Sequence, residues 1–414
     1  FCAYTLLRGD GVRKFGMGLC WVALLLLMLL VIVAAGRLPA SNEGAAARMD
    51  DPFAGVLRVW VHGGWSPGSG SFVPWLNARA ARFEKRHPGV YVQVERVSDM
   101  TLAAFGSGDV NPPDAILFPP GLLDGADGLL PLAARAQLTE AIADAGRSGE
   151  ALYALPVAMG GYAWALNRKW LEDVPLNWAA LDPPPPAKKR ARFLLQAPSD
   201  GRFLSWSGAL NALCAPRSRT RAGFQAEKAG EGLDLGLPDD PRATQAPTPM
   251  PETELVLCDL PAALPADFRK GDAAYAAFTG DVAAAIPVTQ REIRRLQVLS
   301  EMGRGPDWTI AQGGAAFTDQ LLMMAVVDAP RPDAQARKAL ALSLLDFLLT
   351  EDSQAQLSLI RALRVTKGPA LYGSQRGMAE LEAIYRGGFS SVNAFDDRFR
   401  AQQAAQADRL QAGT

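Results

Sequence analysis

Residues 57–65, LRVWVHGGW, followed by SFVPWLNARAARFEKRHPG at 71–89 and VYVQVE at 90–95, decide the fold. Val56–Val61 is apolar enough for a strand buried on both faces. Gly63-Gly64 breaks it. Ser71 is placed as an N-cap. Phe72, Leu76, Ala80 and Phe83 then recur at helical spacing, with Trp75 on the same side. Arg79, Arg82, Glu84 and Lys85 are predicted to face out or flank that stripe. Pro74 sits in the first turn, where no N–H is needed. His87-Pro88-Gly89 stops the helix. Val90, Val92 and Val94 alternate with Tyr91, Gln93 and Glu95, the mark of a half-buried strand. The stretch is a strand–helix–strand unit.

Upstream, Phe15 to Gly36 carries no charge, and its centre reads WVALLLLMLLVIV. A helix of that length spans a bilayer at about 1.5 Å per residue. Arg8, Arg13 and Lys14 precede it, which predicts the N-terminus inside and residue 55 onward outside. Residues 1–36 are read as a signal peptide or a retained anchor, and 37–54, small and polar, as a tether.

Downstream, Asp114–Phe118 predicts a third strand. LYALPVAMGGYAWALNRKWLED (152–173) predicts two extended halves, broken at Pro156 and at Gly160-Gly161. Four prolines fill 183–186, a stiff spacer. Residues 215–253 are rich in Pro, Gly, Arg and Asp without periodicity and read as a long, partly disordered insertion. Asp281–Val288 predicts a strand, and Thr289-Gln290-Arg291-Glu292 a capping box that opens a helix. Leu321–Val327 predicts another buried strand, Ala334–Leu349 a buried helix, and Thr350-Glu351-Asp352 the start of the next. Strands alternate with helices, so the class is α/β with mostly parallel sheets. Ligands in such sheets sit beyond the C-terminal strand ends. Here those ends are Gly63–Ser66, Ser98-Asp99 and Phe118-Pro119.

At 414 residues the chain exceeds one compact core. Forty-two basic side chains against 43 acidic ones leave a net charge of −1, which gives no electrostatic case for nucleic acid. Cys2, Cys20, Cys214 and Cys258 lack CxxC spacing. Cys214 and Cys258 fall in the exported part, where a disulfide can form, with two buried thiols as the alternative.

VHGGWSPG mimics hydrolase motifs: His62-Gly63-Gly64 an oxyanion loop, and Gly64-Trp65-Ser66-Pro67-Gly68 the G-x-S-x-G nucleophile turn. One short turn cannot be both, and the two histidines of the chain, His62 and His87, leave no later base. Two histidines also argue against a histidine metal site, and no P-loop lysine follows a Gly-rich turn. The chemistry that remains is aromatic. Trp65, Phe118, Tyr162, Trp164, Trp206 and Phe278 lie near strand ends or turns, where core packing and ligand contact are equal alternatives. Trp65 is the exception, since a Trp in a Gly-rich turn is expected to have few neighbours.

Six motifs in order resemble the extracellular solute-binding proteins of ABC importers, in the maltose-type sugar-binding family. LRVWVHGGW with RFEKRHPGVYVQVE is similar to the opening strand, helix and strand of that family. PPDAILF is similar to its P-D-I strand and LYALPVAMGGYAWALNRKWLED to its crossover segment. Trp178 in LNWAAL, FTGDVAAAIPVTQREI and KALALSLLDFLLTEDSQAQL resemble its later elements, although Ala284 stands where a Met is usual. The resemblance covers about Val56 to Phe395. It implies a two-lobed, type 2 periplasmic-binding-protein fold, each lobe a mostly parallel sheet flanked by helices. The lobes close on a solute about a hinge. On this reading lobe 1 is 55–157 and 308–350, lobe 2 is 158–307 with the insertion, and 351–414 are C-terminal helices mainly of lobe 2. It implies no enzymatic activity, no cofactor, a sugar ligand, a permease partner and a monomer. The expected ligand set is Trp65, Ser66, Phe118, Tyr162, Trp206, Thr289, Gln290, Arg291 and Asp319. The competing readings are a membrane-anchored sensor ectodomain with the same fold and, third, a secreted hydrolase.

Overall fold

The structure is a computed structural model that describes residues 53–98, 101–102, 105, 111–169, 192–193, 195–197, 217–220, 253–256, 268–270, 273–312, 316–331 and 333–396. The apolar segment at 15–36, residues 37–52 of the tether, Trp178, Trp206, Cys214 and Cys258 lie outside the described residues.

In chain order the elements that matter are β1 (Gly55–Val61), α1 (Phe72–Arg86), β2 (Val90–Arg96), β3 (Ala115–Phe118), β4 (Ala154–Met159), β5 (Tyr162–Asn167), β6 (Arg192–Phe193), α2 (Ala273–Thr279), β7 (Ala283–Thr289), α3 (Gln290–Glu301), β8 (Trp308–Ala311), β9 (Leu321–Val326), α4 (Ala334–Leu348), α5 (Glu351–Ala355) and α6 (Met378–Arg386). They build two sheets. The first has strand order β2-β1-β3-β9-β4 and the second β8-β5-β7-β6.

The opening strand–helix–strand unit forms as its pattern dictates. β1 pairs parallel with β2 from Gly55↔Val90 to Val61↔Arg96, and with β3 through Trp60↔Ile116. Phe72, Trp75, Leu76, Ala80 and Phe83 of α1 are buried. Ser71 holds the N-cap position without a side-chain hydrogen bond. Arg86 ends the helix, His87 caps it, and Gly89 reverses the chain at φ +93, a region that favours glycine. In β2 Val90 and Val92 are buried while Tyr91 and Gln93 face solvent. One position departs from the pattern. Arg79, predicted outside, is buried at 4% exposure, because α4 and the turn of 3-10 helix at Gln356–Ile360 pack on α1, and Asp352 of α5 comes within 3.6 Å.

The sheets are mixed rather than mostly parallel. β9 lies between β3 and β4 and runs antiparallel to both, with Met323 opposite Phe118 and Leu321 opposite Met159. In the second sheet β5 is antiparallel to β7 and to β8, and only β7–β6 is parallel. The cause is topological: the chain leaves the first sheet after β4, builds the second, and returns as β9 into a slot between strands already laid down. β4 keeps its ladder through Pro156 to Met159, so the change of sheet falls at Gly160-Gly161. Trp308–Ala311 pairs with β5, so the second sheet extends to residue 311. α6 packs on α3 and β8, whereas α5 packs on α4. The Pro-rich stretch, read as a partly disordered insertion, is spanned by an antiparallel ladder that pairs Arg217–Thr220 with Thr253–Val256.

A buried carboxylate ties the first sheet to α4. Asp114, 3% exposed, accepts from the Arg58 N–H at 2.7 Å and faces Arg331 at 3.4 Å and Arg337 at 3.3 Å. Its own N–H and carbonyl continue the ladder to Arg58 and Val327. Removing it strands two guanidinium groups and a backbone donor. Asp114→Ala is therefore expected to cost about 3–5 kcal/mol of stability, read as a lowered midpoint in urea unfolding of the purified protein.

Candidate functional site

Two glycines without side chains let the polar groups of both sheets converge on one stretch of backbone. At Gly160-Gly161, between β4 and β5, every surrounding group comes from elsewhere in the chain. The Gly160 N–H donates to the Gln320 carbonyl at 2.7 Å, and the Thr318 hydroxyl donates to the Gly160 carbonyl at 2.9 Å. The Gly161 N–H donates to Gln290 Oε1 at 3.1 Å. The Tyr162 N–H donates to the Tyr385 hydroxyl at 2.8 Å, which in turn donates to the Phe317 carbonyl at 2.7 Å. A Cβ on Gly160 would lie 2.2 Å from Gln320 Oε1, and one on Gly161 would lie 2.3 Å from the Tyr385 ring. A Cβ on Gly160 would thus meet the two glutamines, and one on Gly161 would meet α6.

Gln290, fully buried at the first position of α3, links both sheets. Besides accepting from Gly161, it donates from Nε2 to Gln320 Oε1 at 2.9 Å and to the Ser66 carbonyl at 3.2 Å. Ser66 belongs to the turn after β1, and its side chain is exposed. The turn beyond β1 and the helix start beyond β7 therefore meet directly.

Tyr162 donates its hydroxyl to Asp319 Oδ1 at 2.7 Å. Burial, reinforced by the Asp319 charge, pushes the Tyr162 phenol well above its ordinary value. Burial also raises Tyr385. Both phenols stay protonated across the physiological range and act as donors. Thr289 caps α3 as the pattern predicts. Its hydroxyl accepts from the Arg291 N–H at 3.3 Å, and Glu292 takes the Thr289 N–H at 3.0 Å. The cap itself uses the N–H groups of Thr289 and Arg291.

Of the expected set, the structure brings together Ser66, Tyr162, Gln290 and Asp319, with Thr289 and Arg291 adjoining through α3. Trp65 and Phe118 are placed differently. Trp65, expected to have few neighbours, is 5% exposed and meets Phe72 edge-on at 4.7 Å. The start of α1 folds back over the Gly-rich turn and covers it. Phe118 is fully buried, 6.2 Å from the Phe395 ring. Trp164 and Phe278 are buried as well. Sequence reasoning missed Gln320 and Tyr385. A tyrosine in an amphipathic helix looks like core, and nothing local marks a glutamine as a link between sheets.

The hydrolase pattern has no matching geometry. A nucleophile elbow passes straight from strand to helix, but here β1 ends at Val61 and α1 begins at Phe72. His87 stacks on Phe83 at the helix end, with ring centroids 4.0 Å apart. Among the described residues no group of three or more His, Cys, Asp or Glu is placed to hold a metal.

No protein-family model matches the sequence, and no curated protein does. Solved structures match along most of the chain. The GacH receptor of Streptomyces glaucescens, solved unliganded and with acarbose, superposes with a TM-score of 0.54 at 14% identity, over 87% of this chain and 94% of its own. A cyclic alpha-maltosyl-1,6-maltose binding protein from Arthrobacter globiformis gives 0.55 at 12% identity, over 86% and 93%. The maltodextrin binding protein MalE1 from L. casei gives 0.54 at 13% identity, over 86% and 92%. The chain has the type 2 periplasmic-binding-protein fold. At such identities the likeness is one of backbone path, and in this fold the Gly160-Gly161 crossover and the return through Phe317–Gln320 are the two strands of chain that join the sheets.

The burial of Trp65 makes it a stability residue. Trp65→Ala is expected to lower stability by about 3–5 kcal/mol, seen as a lower melting temperature of the unliganded protein.

Proposed function

We propose that this chain is the extracytoplasmic solute-binding subunit of an ABC importer, and that it captures a carbohydrate, most simply an oligosaccharide, between its two lobes and delivers it to a permease. The observation that carries the reading is the junction at Gln290, where the turn after β1, the start of α3 and the crossover at Gly161 meet through one side chain. A junction of that kind lies where ligands of open α/β sheets bind, beyond the strand ends. The three solved structures with this fold carry names that speak of acarbose, maltosyl-maltose and maltodextrin. The side chains present suit a polyhydroxylated ligand. Asp319, held by the Tyr162 hydroxyl, accepts, Ser66 donates, Arg291 offers a fork of donors, and among the described residues no nucleophile–base pair accompanies them. The protein binds its solute without transforming it and acts as a monomer with no cofactor.

The ligand-contacting groups in this reading are Ser66, Tyr162, Thr289, Gln290, Arg291 and Asp319, with Trp206 as the stacking face from the second lobe. Trp65 and Phe118 hold the turns in place from beneath. Residues 1–36 export or anchor the chain, and the lobes lie outside the membrane.

Calorimetry across a panel of maltodextrins and other oligosaccharides tests the proposal. At least one is expected to bind saturably, and Arg291→Ala is expected to weaken that binding by about 10- to 100-fold, the loss of one charged hydrogen bond. A panel without any binder rules out the ligand class.

Cys214 and Cys258 are proposed to form a disulfide in the exported protein. They flank the ladder that pairs Arg217 with Val256. Closing a loop of that length contributes roughly 3–4 kcal/mol in the chain-entropy model. Alkylation of the unreduced, denatured protein should label neither residue, and labelling of both would show free thiols.

A further inference from the structure

A cavity of about 710 Å³ opens beside α6. It is lined from three directions: by Thr139–Ala141, by Met159 and Leu363–Gly368, and by α6 with Phe389. Its wall includes Tyr385, whose hydroxyl meets the Tyr162 N–H, whereas Gln290 is not part of its lining.

The cavity holds an unpaired buried cation. Arg364 is 9% exposed, and neither Nε nor Nη1 has a hydrogen-bond partner. A buried guanidinium without partners is costly and calls for an anion. The carboxylates that act on it are Glu351 and Glu382. Glu382 is already engaged, since it accepts from the N–H groups of Leu371 and Tyr372 at 2.8 to 3.1 Å. Gly368 lets the guanidinium lie against the backbone, where a Cβ would come within 1.8 Å of Arg364 Nη1. Two more cations line the space, Lys367 and Arg386, and Arg386 gives one N–H to the Gly368 carbonyl at 2.8 Å.

The unsatisfied donors select the ligand. Arg364, Lys367 and Arg386 stand against Glu140 and Glu382 of the lining and Glu351, which also acts on Arg364, so the charges balance. A balanced site with unmatched donors at Arg364 Nε and Nη1 suits one carboxylate and disfavours a dianion. The rest of the lining combines the hydroxyl groups of Thr139, Thr366 and Tyr385 with apolar side chains. Met159 and Leu363 are each 2% exposed, and Phe389 meets Tyr385 edge-on at 5.3 Å. A cavity of this size, with convergent polar groups at one end and an apolar wall, has the anatomy of a small-molecule site. We propose that it is a second ligand site, which takes a small organic monocarboxylate with its carboxylate on Arg364 and Lys367 and its apolar body on Leu363, Met159 and Phe389. The site is distinct from the proposed sugar site and does not depend on it.

The test uses the full chain and calorimetry with 4-phenylbutyrate, hexanoate and benzoate, alongside 4-phenylbutan-1-ol and inorganic phosphate. At least one carboxylate is expected to bind saturably, with the alcohol and phosphate at least about tenfold weaker. Lys367→Ala, at an exposed position, should weaken the carboxylate about tenfold, the loss of one charge-assisted contact. Ala141→Phe fills the cavity without touching a cation and should abolish binding. Arg364→Gln should weaken binding more than Lys367→Ala, and the other two variants decide the matter if Arg364→Gln does not fold. No saturable carboxylate binding to the wild type overturns the proposal. So does phosphate or alcohol binding of equal strength, or unchanged affinity in Lys367→Ala and Ala141→Phe.

Discussion

The peptide at Gly160-Gly161 is the constraint on which the rest of the molecule depends. Its two N–H groups and the next one along are claimed by Gln320, Gln290 and Tyr385, three residues that lie far apart in the sequence. Buried backbone donors must be satisfied, and here each is satisfied by a different element. Gln290 comes from the helix after β7, Gln320 from the segment that returns to the first sheet, and Tyr385 from α6. None of these can shift without leaving a buried donor unpaired. Side chains at 160 and 161 would occupy the space those groups need.

That constraint also organises the chemistry. Amides and phenols surround the crossover, with Asp319 as the carboxylate among them. Such groups exchange hydrogen bonds with a hydroxyl-rich solute at little net change in charge. Tyr162 and Tyr385 both stay protonated around neutrality. Around the cavity beside α6 the character changes. There Arg364, Lys367 and Arg386 gather with Glu140 and Glu382 beside apolar side chains, and that chemistry selects for charge.

Much of the fold was legible because it rests on periodic patterns. Phe72, Leu76, Ala80 and Phe83 at helical spacing, the alternation in Val90–Glu95, and the cap at Thr289 with Glu292 are local signals, and local physics obeys them. What the pattern does not encode is which strand lies beside which. β9 reads as a buried strand, but nothing in LLMMAV says that it runs antiparallel between β3 and β4. Burial by a distant partner is likewise invisible. Trp65 sits in a glycine-rich turn, and only the fold-back of Phe72 shows that it is core. Arg79 looks exposed until α4 is packed against its helix. Gln290 was chosen for its position at a helix start. Its role as the link between sheets needs Ser66, Gly161 and Gln320 to be placed first.

The central claim is that the two sheets are lobes joined at a hinge and that a carbohydrate shifts their relation. Tyr91 on β2 and Met302 at the end of α3 are both exposed and belong to different sheets. Spin labels at Tyr91→Cys and Met302→Cys, with the native cysteines replaced by serine, report the separation of the lobes by pulsed electron paramagnetic resonance. With the oligosaccharide that binds most tightly, the distance distribution is predicted to move to a new, narrower maximum. An identical distribution with the sugar bound and without it would contradict the claim.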